Sequence, residues 1–277
     1  NNAGGGVAIT GCGGTINLGA TAITNTNGVG ISMTTGGTLQ TTSGSVTTTT
    51  GRAIALDTVA ANVVLGRVAS TSSPTEGVRL NAVTGSFTVN DSMVGTTNDL
   101  DVNLAATNAI AVSASAVAFN ASSIDIDGSS GSGILLTSNT GSITVGSGDV
   151  ATSAGTEVAV TGGTANITLG SSITNTTGKA LTIASTTGGT ITMTGGTVIV
   201  HGPTQDYNAA IDYDGTFVIS GGFLVAAGSA GMAQAPSNSS TQRSVKITYS
   251  QWKSAGTLVH IQKTSDSSNV LTFAPAK

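Results

Sequence analysis

Apolar side chains in this chain recur at every second position, in bursts too short for a helix. In "GGTITMTGGTVIVHGP", which begins at Gly188, Ile191 and Met193 alternate with threonine. A pair of glycines follows, and Val198 and Val200 resume the alternation. A period of two marks strands with one buried face, whereas a helix would place apolar residues at i, i+3 and i+4.

The spelling returns along the chain in three sets. One set reads "GVAI" at Gly6, "GVGI" at Gly28, "GRAI" at Gly51, "GVRL" at Gly77, "GTEVAV" at Gly155 and "GKALTI" at Gly178, with weaker versions around Ile110 and Leu135. A second reads "TINL" at Thr15, "SFTV" at Ser86, "SITV" at Ser142, "NITL" at Asn166, "TITM" at Thr190 and "TFVI" at Thr216. A third reads "TAIT" at Thr21, "GSVT" at Gly44, "SSIT" at Ser171, "TVIV" at Thr197 and "GFLV" at Gly222. Units follow one another at roughly 22–30 residues, a solenoid spacing. The pattern predicts an all-β, single-stranded parallel β-helix, a β-solenoid with three short strands per coil and about nine coils over residues 1–227. Paired glycines such as Gly195–Gly196 are its expected corners. From residue 228 the alternation stops in "GSAGMAQAPSNSSTQRS", then returns in "SVKITYS", "GTLVHIQ" and "VLTFAP". Residues 228–277 therefore read as a loop followed by a C-terminal antiparallel β cap, which covers the unpaired edge of an open solenoid.

Composition sharpens this picture. Charged residues are 8% and aromatic residues 3% of the chain, while glycine numbers 39. Abundant Val, Ile and Thr fit a pleated surface. A net charge of −4 with no cluster of Lys and Arg argues against a nucleic-acid partner. No apolar run reaches the roughly 18 residues of a membrane span, and no signal peptide is expected in "NNAGGGVAIT". The single cysteine, Cys12, reads as a small packing residue.

Two resemblances add to the reading. The stretch "GGTVIVHGPTQDYNAAIDYDGTFVISGGFLVAAGSAGMAQAPS", continuing through "GTLVHIQ" to "LTFAPAK", resembles secreted bacterial carbohydrate-binding domain-containing proteins. That resemblance covers about the last third of the chain and implies a noncatalytic, extracellular β-helical module. The N-terminal stretch "TTTTGRAIALDTVAANVVLGRVASTSSPTEGVRLNAVTGSFTV" is similar to β-strand repeats of large bacterial surface and autotransporter-like proteins. Both imply a location outside the cell or on its surface.

Candidate chemistry is sparse. The best acid set is Asp206, Asp212 and Asp214 in "QDYNAAIDYDG". Alternation turns Asp212 and Asp214 outward and Ile211 and Tyr213 inward. Such carboxylates hydrogen-bond sugar hydroxyls or bind calcium, the one cofactor this reading admits. Asp125 with Asp127, and Asp99 with Asp101, share that spacing. His201 and His260 are the only histidines and stand in no metal-ligand spacing. Trp252, the only tryptophan, is a candidate sugar-stacking platform. The expected function is a noncatalytic structural or adhesive solenoid, self-associating or stacking into a filament, with polysaccharide as a further partner. The alternative is a polysaccharide-degrading β-helix enzyme using the three acids. A minor alternative, ice binding, needs T-x-T on one face coil after coil. "TTTT" at Thr47 and "TITMT" at Thr190 fit, but equivalent positions elsewhere read as Asn, Asp, Ser or Ala.

Overall fold

The computed structural model describes residues 5–90, 99–175, 179–207 and 209–276. Gly178, the expected start of one unit, and residues 1–4 of the expected solenoid lie outside them. Among the described residues there is no helix, and all strand pairs but one are parallel. The predicted solenoid is present: eight strands stack as a first face, and a continuous second sheet carries the other two faces. Long strands such as Thr15–Asn27 and Thr38–Thr50 run round the corner from the second face to the third. Nine coils result, at 7–27, 31–50, 54–70, 78–103, 110–127, 134–151, 158–174, 181–201 and 217–227. The last lacks a first-face strand.

The alternation becomes files of stacked side chains. On the first face Ile31, Ile54, Val78, Ile110, Ile134 and Val158 sit one above the next in strict register and are almost wholly buried. Burying each such side chain contributes about 1.5–3 kcal/mol. On the second face Phe87 and Phe119 belong to one file, and their rings lie parallel with centroids 5.8 Å apart. The chain between those two phenylalanines is longer than elsewhere, yet the same inward positions are matched across it. The period of two excludes a one-residue slip, which would turn every aliphatic group outward.

The paired-glycine corners are present, with positive φ at Gly189, Gly196 and Gly222, but one set of corners differs from expectation. Gly196 does carry the expected positive φ, 69°, and a Cβ there would meet the Ser171 carbonyl oxygen at 2.0 Å. The corner that follows the first face is different. It holds a left-handed residue after each of the eight first-face strands, and this is usually not glycine: Thr35, Thr58, Ala82, Ala114, Ser138 and Ser185. The cause is the ladder. The N–H groups of Thr58, Ala82, Ala114 and Ser138 each donate to a carbonyl of the next coil at 2.8–2.9 Å. Stacking holds the backbone in a conformation that costs a non-glycine residue roughly 1–2 kcal/mol.

The cap also differs. The antiparallel sheet is a single hairpin, Val259–Gln262 with Asn269–Phe273, and "SVKITYS" forms no strand. The residues hydrogen-bonded along the last coil come from the segment read as a loop. Gln234 N–H donates to Ile211 O, Ser237 N–H to Phe217 O, and Gln242 N–H to Ile219 O. In return Ser237 Oγ accepts from Phe217 N–H and Ser240 Oγ from Ile219 N–H, each at 3.1 Å. Side-chain hydroxyls thus take the strand-edge donors, which alternation cannot announce. The Tyr213 hydroxyl, donating to Ala235 O at 2.9 Å, pins the same segment.

Ala114 is exposed, with φ of 48°. Ala114→Gly relieves its strain, and denaturant unfolding should show a gain of about 0.5–1 kcal/mol. A loss of stability would show that the corner is not strained.

Candidate functional site

With the backbone consumed between coils, what each face offers is its outward ladder of side chains. The first face is occupied with itself. Thr34 Oγ1 donates to Thr10 Oγ1, Asn81 Nδ2 to Asp57 Oδ1, and Ser113 Oγ to Asn81 Oδ1, at 3.4, 3.1 and 2.8 Å. Arg79 pairs with Asp57 at 3.1 Å. Burial pushes the Asp57 carboxyl up, but hydrogen bonds from Thr58 and Asn81 and the Arg79 charge outweigh it and hold it below the ordinary range.

The third face carries acid. Asp101, Asp125 and Asp149 lie in register on three successive coils, with Asp127 beside them. Like charges directly opposite on neighbouring strands repel. Arg67 relieves the first of them, at 2.8 Å from Asp101. Burial raises the Asp149 carboxyl, and Asp127 and Asp125 raise it further. Behind this ladder, Glu157 is wholly buried. Its Oε1 accepts the Ser153 N–H at 3.0 Å, while Oε2 has no partner among the described residues. Burial raises its carboxyl, hydrogen bonds from Ser153 lower it, and Asp127 and Asp149 raise it again, with a net rise. The sequence carried a signal for this residue. The positions equivalent to Glu157 in other coils are Gly30, Ala53, Gly77, Ala109, Gly133 and Ala180, a file of small residues packed into the corner.

The second face carries neither feature. Its outward file runs Thr88, Asn120, Thr144, Thr168 and Thr192, in register. None of these side chains hydrogen-bonds within the described residues.

The residues singled out from the sequence are not assembled into one centre. Ile211 and Tyr213 do pack on the core while Asp212 and Asp214 are exposed, as alternation requires. Asp206 accepts from Ser229 Oγ at 2.6 Å, and Asp214 accepts the Ser185 N–H at 2.9 Å, so both are tied into the last turns. Asp212 makes no such bond among the described residues. Among the described residues no three His, Cys, Asp or Glu side chains lie close enough to share a metal ion. Trp252 is 77% exposed and Tyr249 47%, with Lys253 Nζ 5.4 Å from the Tyr249 ring centroid. They belong to a stretch, 243–258, in which every residue is exposed. His201 stacks on Phe273 at 5.1 Å and its Nδ1 accepts the Ala276 N–H, fastening the hairpin. His260 contacts Thr272 and Gln262 within that hairpin. Cys12 is half-buried against the core. No helix of the described residues is long and apolar enough to cross a membrane.

No family model matches the chain, and no significant match is found among curated proteins or solved structures. The two resemblances therefore rest on the stretches quoted for them.

Glu157 and Asp149 contribute to the pH dependence above the ordinary carboxylate range. Both carboxyls are raised in the folded state. The native protein therefore holds protons that the unfolded chain releases, and stability falls as pH rises above the ordinary carboxylate range. Glu157→Gln keeps the Ser153 bond and removes the charge. Denaturant unfolding should find variant and parent alike at pH 4, with the variant more stable at pH 8 by on the order of 1–3 kcal/mol. Equal stability at both pH values would mean that Glu157 does not titrate in the corner.

Proposed function

We propose that this chain is a noncatalytic, extracellular structural and adhesive element of a bacterial-type cell surface. The stacked coils serve as a rigid rod, and the C-terminal region contacts polysaccharide. The observation that carries the reading is the 243–258 stretch, where Tyr249 and Trp252 stand in solvent on a chain that has few aromatics to spare. An exposed indole is a broad apolar plane with a polar edge, suited to the face of a sugar ring. Asp212, exposed and uncommitted, is the acid available for sugar hydroxyls. The resemblance of the last third to carbohydrate-binding modules supports the same assignment. Self-association fits too, since Val245 and Ile247 in this stretch are also exposed.

Retention on an array of polysaccharides tests the reading. Trp252→Ala should lower affinity for any retained glycan at least about tenfold, equivalent to 1.4 kcal/mol, and Asp212→Asn by less. Circular dichroism should be unchanged, because both side chains are exposed. Retention of no glycan, or equal retention by the Trp252→Ala protein, would remove the sugar-binding part of the proposal.

A further inference from the structure

We propose that the outward second face of coils 4 to 8 binds ice. This goes beyond the adhesive reading and uses a different surface. It starts from a register that the sequence alone misaligns. "TTTT" at Thr47 belongs to the third face, so it is not equivalent to "TITMT" at Thr190. The positions equivalent to Thr192 are Thr168, Thr144, Asn120 and Thr88. Threonine thus recurs on four of these five coils. One inward residue away lies a second outward column, so the rungs read SFT, AFN, SIT, NIT and TIT. Val64 and Val218 stand at the two ends of the threonine file.

Several features fit an ordered water lattice. Rungs recur at the parallel strand spacing, about 4.8 Å, and the columns stand two residues apart, about 6.7 Å. Both distances are close to oxygen repeats of the ice lattice. The threonine side chains are β-branched, so few rotamers are open to them and their hydroxyls are held in step by the backbone. They are uncommitted, in contrast to the first-face ladder, whose polar groups bond one another. The rungs carry no charge and no outward aromatic ring. A charged face, such as the aspartate ladder of the third face, would orient water around its charges instead. A face built for sugar rings would carry aromatic planes. Methyl and hydroxyl groups at lattice spacing fit ice better than a polysaccharide.

The test uses the purified full chain in an ice-recrystallisation assay with thermal hysteresis as a second readout. The parent should inhibit grain growth. Thr168→Tyr, in the middle of the face, should weaken inhibition at least fivefold, and so should Thr144→Lys. Both side chains point outward, so circular dichroism should match the parent. Ala159→Tyr, outward on the first face, should act like the parent. The proposal is overturned if the parent has no effect on ice. It is equally overturned if the second-face variants match the first-face control, or if they lose binding to crystalline cellulose while ice inhibition is unaltered. The glycan experiment with Trp252→Ala is independent of every one of these outcomes.

Discussion

Hydrogen bonding between successive coils is the constraint on which the rest of the molecule depends. A single three-strand coil has no partner for its N–H and C=O groups and cannot bury its own aliphatic face. Stacking resolves both at once, but only in one register. Once Ile143 faces Ile167 and Ile167 faces Ile191, every outward residue is placed as well. The outward ladders are therefore consequences of the core. Asp125 lies beside Asp149, and Thr144 beside Thr168, because the aliphatic side chains next to them are stacked.

The same constraint accounts for the local costs. Five left-handed threonine, alanine and serine residues are held at one corner because their N–H groups continue the ladder there, and the N–H of a sixth, Ser185, donates to the Asp214 carboxylate instead. Glu157 occupies a corner position otherwise given to glycine or alanine, and its unpartnered Oε2 and raised carboxyl follow from that burial. At the end of the stack the requirement remains, since the last coil still has unpaired strand groups. Ser237, Ser240 and Gln234 supply partners there, through side chains as well as backbone.

Much of this was legible in the sequence, because the code for a solenoid is a period of two repeated at a regular step. The alternation gave the three faces and the number of coils, and placed Ile211 and Tyr213 against the core. What it missed has one physical origin. Alternation reports which way a side chain points, not which residue of a distant coil lies beside it. Hence "GMAQAPSNSSTQ", which has no apolar period, reads as a loop although it covers the last coil. "SVKITYS", with a strong period, reads as a strand although no strand of the described residues pairs with it. The acid ladder of Asp101, Asp125 and Asp149 and the threonine file share this difficulty. Their members lie a whole coil apart in sequence and become neighbours only once the register is set.

Hydrogen exchange read by mass spectrometry tests the stacked ladder most directly. Amides in 143–145, 167–169 and 191–193 should exchange slowly and as one block, because opening any of these strands breaks its neighbours' bonds. Amides in 243–255, which are exposed, should exchange at once. Rapid exchange of the central strands, at the rate of the exposed stretch, would contradict the stack from which every ladder described here derives.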